Sequence, residues 1–341
     1  MGAAHQSAAV TPERIMQMAW GFAPTMMMEA AVNLRVFDIL DDGPKSAEMV
    51  ANLVGASVRG VRALMNGLAG VGLLTKSAAG QYGLPSDAAA FLVAGKPPYL
   101  GALARHLAQD LVPMWRDLSY VVRTGKPAEA VNRRQGGAEF FENFVEDLFP
   151  MSYPAASALA AALNVANAKG PVKALDLAAG SGVWGIALAQ KSAHVSVTAV
   201  DWPNVLSVTR KIAQREGVAD RFSYIAGDLA EADFGDGYHI ATLGHILHSE
   251  GEERSRALLK KTGAALAPGG TVAIAEFLVN EDRNGPPMGL IFAINMLVAT
   301  DHGDTYSFDE IAGWLREAGF ENPRTVDAPG PSPLILANRP Y

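Results

Sequence analysis

Three carboxylates and a glycine-rich turn carry the first chemical signal in this sequence. Asp176-Leu177-Ala178-Ala179-Gly180-Ser181-Gly182 follows an apolar segment and opens a helical pattern. Glycines at such a place allow a tight turn and let a ligand approach the backbone closely. The helix N-terminus beyond them favours a negative group such as a carboxylate. Asp201, in Ala199-Val200-Asp201-Trp202-Pro203, ends the next apolar segment. A carboxylate there can take both hydroxyls of a ribose. Asp228, in Ala226-Gly227-Asp228-Leu229, ends the third, where it can accept from the exocyclic amine of an adenine. Each acid alone is a common helix cap. Three successive segment ends carrying the groups that a nucleoside needs point to a nucleoside ligand.

These residues require a scaffold of alternating strands and helices. From Lys173 onward the pattern predicts strands at Ala174–Ala178, Val195–Val200, Phe222–Ala226, His239–Leu243, Thr271–Phe277, Arg324–Asp327 and Pro333–Ala337. Helices are predicted near 183–191, 203–216, 252–266 and 307–318. Such alternation implies an α/β fold with a doubly wound, mostly parallel sheet. The front half reads as helices. A long apolar-striped helix is expected from Met26 to Leu40, then a short helix capped by Ser46 and a longer one capped by Ser57. A small hairpin follows across Ser77-Ala78-Ala79-Gly80. That order is a winged helix-turn-helix. Further helices are expected around 99–110, 113–123, 138–149 and 153–168. The expected domains are 1–168 and 169–341.

Composition narrows the function. A chain of 341 residues with 49% apolar and 18% charged residues can bury full cores and has low-charge surface to spare for a subunit contact. The net charge of −7 argues against bulk nucleic-acid or anionic-membrane binding. A DNA-binding role for the winged helix is disfavoured by its sparse basic residues, Arg59, Arg62 and Lys76. The absence of cysteine excludes disulfides, thiolate zinc sites and a cysteine nucleophile. No apolar run is long enough to span a membrane and no secretory signal is visible, so a cytoplasmic protein is expected.

DLAAGSG, AVDWP and AGDL resemble the first three motifs of class I S-adenosylmethionine-dependent methyltransferases, and Ala267-Pro268-Gly269-Gly270 resembles that class's turn before the fifth strand. With the winged-helix front half, residues 12–339 resemble the small-molecule O-methyltransferase family that includes plant caffeate and bacterial antibiotic O-methyltransferases. The resemblance implies a Rossmann-like, seven-stranded sheet whose last strand is antiparallel. It implies that the front half is a dimerisation domain that lends residues to the partner's pocket. S-adenosyl-L-methionine would lie across Gly180 and Gly182, beside Asp176, with ribose on Asp201 next to Trp202. Its adenine would lie near Asp228, Leu229 and Phe234, with Phe222 as a further neighbour. The product would be S-adenosyl-L-homocysteine (SAH).

In Leu243-Gly244-His245-Ile246-Leu247-His248-Ser249-Glu250, His248 falls on the resembled family's catalytic histidine. A hydroxyl is a poor nucleophile until it loses its proton, and imidazole is suited to take it. His245 is not at the equivalent position. Glu276 matches an acid that flanks the histidine in plant members and would orient it. Two departures stand out. Ser249-Glu250 replace the family's Asp-Trp, and Thr305 stands where a second flanking Glu is usual, so that acid is absent or displaced to Asp304. A thiol or thioether acceptor, which needs no base, is therefore an alternative, as are N- and C-methylation or a non-catalytic binding protein. The resemblance places the acceptor between Phe144, Phe149, Met151 and Tyr153 on one helix and Phe292, Asn295 and Met296 on another, with Tyr306 nearby. Aromatic and methionine residues at helical spacing also serve as plain core. No cluster with metal-ligand spacing is visible, so no metal is expected.

Overall fold

The computed structural model describes residues 10–96, 99–128, 137–330 and 332–341, with 137–144 and 147 described by their backbone. The chain divides into two compact units, Met1–Asp110 and Leu111–Tyr341. The helices expected near 113–123 and 138–168 thus belong to the second unit.

In the first unit, α1 (Glu13–Ala19) and α2 (Ala23–Asn33) precede α3 (Val36–Leu40). The expected long helix is broken where Arg35 turns left-handed at φ 57°. Two further helices, α4 (Ala47–Val54) and α5 (Val58–Gly70), start at Ser46 and Ser57. Each hydroxyl accepts from a backbone N–H, of Met49 and Gly60 respectively, which satisfies a donor left free at a helix start. The hairpin pairs β1 (Thr75–Lys76) with β2 (Tyr82–Gly83). Leu68, Met65, Phe37 and Tyr82 form its core, completing the expected winged helix. Two short helices, α6 (Ser86–Phe91) and α7 (Gly101–His106), follow.

The second unit begins with α8 (Val112–Trp115), α9 (Leu118–Thr124) and α10 (Gly137–Ala162). Two helices were expected across 138–168; one runs through Pro150 and Pro154. Then come β3 (Val172–Leu177), α11 (Val183–Lys191), β4 (Val195–Asp201), α12 (Pro203–Arg215) and β5 (Phe222–Ala226). The rest is β6 (Tyr238–Gly244), α13 (Leu247–Ala265), β7 (Leu266–Ala275), β8 (Leu278–Val279), α14 (Pro287–Ala299), β9 (Tyr306–Ser307), α15 (Phe308–Glu317), β10 (Glu321–Val326) and β11 (Leu334–Asn338).

Seven strands form one sheet in the order β10-β11-β7-β6-β3-β4-β5, parallel from β7 to β5 and antiparallel where β11 meets β7 and β10. This is the expected doubly wound sheet. Its central strands lie between a cluster around Ile186, Leu188 and Ile212 on one face and another around Leu243, Leu247 and Leu315 on the other, while the edge strand β10 is exposed. Parallel strands end on the same edge, so β3, β4, β5 and β6 deliver Asp176, Asp201, Asp228 and His248 to one side of the sheet. The short parallel pair β8–β9 was not anticipated; it brings Leu278 beside Tyr306.

Candidate active site

The glycine turn after β3 is a left-handed run. Ala178, Gly180 and Gly182 have φ of 50°, 54° and 74°, a region that glycine enters at no steric cost. The Gly180 N–H donates to Asp201 Oδ2 at 2.9 Å, and its carbonyl accepts from the Thr209 hydroxyl at 2.7 Å. A Cβ on Gly180 would stand 3.5 Å from Val145 of α10, an ordinary contact, so it is the left-handed φ and not crowding that favours glycine there. A Cβ on Gly182 would strike the Thr209 methyl at 2.8 Å. Thr209 and Val145 were not singled out in the sequence, because their partners lie 27 or more residues away.

Asp201 also accepts from the Trp202 N–H at 2.7 Å. Burial pushes its carboxyl up to about 6 against these two backbone donors. Asp176 sits differently from expectation. It is wholly buried, with Oδ2 on the Gly185 N–H at 3.0 Å and Oδ1 on the Thr242 hydroxyl at 2.7 Å. It ties β3 to α11 and β6 and presents no surface to a ligand. Burial raises its carboxyl to about 7.

Asp228 remains accessible at the end of β5, but not free. Its carboxylate accepts from the Ala230 N–H at 2.8 Å and pairs with Arg254 of α13 at 3.2 Å. Arg254 pairs in turn with Glu250, the residue in the family's Trp position. Leu229 and Phe234 are core residues, with Lys261 lying over the Phe234 ring.

The second cluster forms where β6 and β7 end. His248 Nδ1 lies 2.7 Å from Glu276 Oε2. Glu276 Oε1 accepts from the Leu247 N–H at 2.8 Å and the His248 N–H at 3.3 Å. Burial pushes Glu276 up, but the imidazole charge and these hydrogen bonds outweigh it and hold the carboxyl below its ordinary value. A carboxylate facing Nδ1 accepts the ring's N–H there and leaves Nε2 with its lone pair. Phe292 of α14 meets the His248 ring edge-on at 4.9 Å and packs on Phe277 at 4.1 Å. Phe277 was read only as a strand residue; it walls the site.

His245 stands beside this pair with φ 61°, its ring 5.2 Å from Phe277 and 6.1 Å from His248. Burial lowers its imidazole to about 4, so it is neutral at physiological pH. One ligand atom from each of His245, His248 and Glu276 lies within 4.8 Å of the others. Sequence spacing hid this grouping, since Glu276 is supplied by the next strand.

The second acid is missing from the histidine. Thr305 is buried, with its hydroxyl on the Gly289 carbonyl at 3.2 Å. Asp304 turns its carboxylate to its own chain and to Arg283 at 3.8 Å, so Asp304 is not a displaced substitute.

The two helices expected to line the acceptor behave differently. On α14, Asn295 is buried and accepts the Trp115 indole N–H at 3.0 Å. Asn295 is one helical turn from Phe292, on the same face, and Met296 beside it is buried too. Trp115 was not anticipated. On α10, the Tyr153 hydroxyl donates to Gln190 of α11 at 2.6 Å, and its ring stacks on Phe149 at 5.4 Å. Arg215 of α12 covers Phe149. These two aromatics pack α10 on α11 and α12. Met151 is half-buried between them in sequence. Phe144 lies outside the described side chains. Tyr306 also proves to be core, edge-on to Trp314 at 4.6 Å.

Comparison with known proteins gives this arrangement its context. The O-methyltransferase domain family matches residues 115–321 and the O-methyltransferase dimerisation domain matches residues 16–94. The 3-hydroxy-5-methyl-1-naphthoate 3-O-methyltransferase of Streptomyces sahachiroi is 31% identical over 320 residues, covering 92% of this chain and 91% of its own. The S-adenosyl-L-methionine-dependent methyl transferase PigF of a Serratia species is 27% identical over 355 residues, with 97% of both chains covered. The structure of PigF with SAH matches with a TM-score of 0.86 at 26% identity, over 97% of this chain and all of that one. A candidate O-methyltransferase from Nostoc punctiforme matches with a TM-score of 0.89 at 30% identity, again over 97% of this chain and all of that one. Loop, strand ends and histidine thus sit in a scaffold shared along almost its whole length, and the chain belongs to the O-methyltransferase family, as an S-adenosylmethionine-dependent methyltransferase of small molecules.

Proposed function

We propose that the enzyme methylates the hydroxyl of a planar aromatic metabolite, with His248 as general base and Glu276 as the residue that positions it. The observation that carries this reading is the 2.7 Å contact between His248 Nδ1 and Glu276, whose other oxygen is held by two backbone N–H groups. Bound S-adenosylmethionine supplies an electrophilic methyl group on a sulfonium. The residues at the strand ends fit that cofactor. Asp201 would offer its half-buried carboxylate to the ribose hydroxyls next to Trp202, beside the left-handed turn at Gly180 and Gly182, and Asp228 would accept from the adenine amine.

His248 Nε2 takes the hydroxyl proton as the oxygen attacks, and Glu276 stabilises the imidazolium that results. Phe277 and Phe292 exclude water from the reacting pair and provide flat apolar surface for a ring. Asn295, whose oxygen accepts from Trp115, would donate its amide N–H to an acceptor oxygen, with Met296 beside it. The name of the Streptomyces sahachiroi relative, a naphthoate 3-O-methyltransferase, supports an aromatic hydroxyl as acceptor. In-line displacement depends chiefly on positioning, and the base adds typically 10²–10⁴-fold.

His248→Ala is expected to lower kcat by about 10²–10⁴-fold with a phenolic acceptor, while calorimetric affinity for SAH stays near wild type. A variant with wild-type kcat overturns the base assignment. The enzyme acts as a homodimer built by the N-terminal half, as the dimerisation-domain match and the exposed Met16, Met18, Trp20 and Phe22 of the first helices support. A monomer mass by light scattering at micromolar concentration overturns this. Among the described residues no helix is long and apolar enough to cross a membrane, which is compatible with action in the cytoplasm.

A further inference from the structure

His245 is a second imidazole that methyl transfer leaves unused. Its backbone N–H donates to the Ala275 carbonyl at 2.9 Å, fixing it at the end of β7. From there its ring leans on Phe277 and faces His248. Its Nδ1 is buried and has no hydrogen-bond partner. A buried polar atom left unpaired costs free energy unless something satisfies it. One ligand atom from each of His245, His248 and Glu276 lies within 4.8 Å of the other two.

We propose that His245, His248 and Glu276 form a binding site for a divalent first-row transition ion such as Zn²⁺ or Co²⁺, and that its occupancy reversibly blocks methyl transfer. Two imidazoles and one carboxylate select borderline ions over Mg²⁺ and Ca²⁺, which prefer all-oxygen shells. The remaining positions on the ion are open to water. Zinc bonds of about 2.0–2.1 Å place tetrahedral ligands roughly 3.4 Å apart. The cluster must therefore close by roughly 1 Å, and the His248–Glu276 hydrogen bond must give way. That cost makes the site a reversible, inhibitory one and not a structural centre.

The block follows from proton accounting. A neutral imidazole has one lone pair and one N–H. With the ion on either nitrogen of His248, the other nitrogen carries the ring proton and cannot accept a second. The ring proton that faces Glu276 stays on Nδ1 if the ion takes Nε2, and moves to Nε2 if the ion takes Nδ1. In neither case does a lone pair remain for the acceptor hydroxyl.

The test uses the full-length, metal-free protein. Co²⁺ is titrated and followed by visible absorption, Zn²⁺ by calorimetry, and the initial rate is measured with a phenolic acceptor. The expected result is one ion per chain, an intense band of four- or five-coordinate Co²⁺, and inhibition by Zn²⁺ that a chelator reverses. His245→Asn keeps a residue that tolerates positive φ but removes the nitrogen ligand. It is expected to weaken Co²⁺ and Zn²⁺ binding by about 10–100-fold and to raise the Zn²⁺ needed for half-inhibition in step. His106→Asn, which alters the His106–Asp110 pair elsewhere, is expected to change neither. Equal ion affinity in wild type and His245→Asn, a Co²⁺ spectrum that stays that of the hydrated ion, or activation by Zn²⁺ overturns the proposal. The absorption band needs no acceptor, so its outcome is independent of whether His248 serves as the base.

Discussion

Glu276→Gln tests the positioning role with almost no change of shape. Glu276 Oε1 faces two backbone donors, the N–H groups of Leu247 and His248. A glutamine must keep its carbonyl oxygen there, because turning its NH₂ to that side would set donors against donors. The NH₂ group then points at His248 Nδ1, 2.7 Å away in the wild-type geometry. It can only donate, so Nδ1 must accept, and the ring proton moves to Nε2. The imidazole is then in the tautomer that cannot take a proton from the acceptor. The variant also loses the negative charge that stabilises the imidazolium. A unit charge pair about 4 Å apart is worth about 4 kcal/mol at an effective dielectric of about 20, or close to 10³-fold. Forcing the wrong tautomer in a hydrolase triad costs about 10⁴-fold. The expectation is a fall in kcat of about 10²–10⁴-fold, measured with a phenolic acceptor at saturating cofactor. SAH affinity by calorimetry and the melting temperature are expected to move little, since the backbone donors remain satisfied. Glu276→Ala is expected to lose stability as well, because both N–H groups are left buried and unpaired at about 1–3 kcal/mol each. A kcat for Glu276→Gln within about threefold of wild type refutes the argument.

The other carboxylates give predictions with a sign. Asp201 titrates at about 6 in the free protein, and ribose hydroxyls donate to its ionised form. SAH affinity is therefore expected to weaken as pH falls below 6, by at most about tenfold per unit, and Asp201→Asn should flatten that slope while lowering affinity throughout; calorimetry from pH 5 to 8 decides it. Asp176 is raised to about 7 in the fold, whereas an unfolded aspartate ionises near 4. Between those values the folded state holds a proton that the unfolded state has lost, so this group's contribution to stability falls as pH rises. Asp176→Asn, able to accept from Gly185 and to donate to Thr242, is expected to remove that slope from melting curves between pH 5 and 8; an unchanged slope shows that Asp176 is not its source. Gly182→Ala combines φ of 74° with a Cβ only 2.8 Å from Thr209, and is expected to cost about 1–3 kcal/mol in chemical denaturation.

The residues on strand ends were legible in the sequence because topology alone places them. Asp201 and Asp228 needed only the alternation of strand and helix to be assigned to one edge of a parallel sheet. His248 needed that edge and a family pattern. What remained hidden was each residue's second partner. Nothing in the spacing shows that Asp228 meets Arg254, 26 positions on, or that Trp115 meets Asn295, 180 positions on. Asp176 has the same motif context as Asp201 yet points inward, because residues alternate along a strand and only its end turns toward the ligand edge.

Helices are a harder case, and the acceptor residues show why. Periodicity identifies a buried face but not which neighbour covers it. Phe149, Met151 and Tyr153 share an apolar stretch of α10, and Phe292, Asn295 and Met296 share one of α14. The sequence offers both on equal terms. The structure separates them by rotation: α10 turns Phe149 and Tyr153 onto Gln190 and Arg215, while α14 turns Phe292 onto His248. A rotation of one helix by half a turn would exchange those roles with no change in hydrophobic pattern. One feature sets α14 apart from its own hydrophobic pattern: a single polar residue, Asn295, in an otherwise apolar run. A buried amide must be paired, so it marks the side where polar partners or a ligand await. Such exceptions to the pattern, more than the pattern itself, direct a sequence reading to candidate site residues.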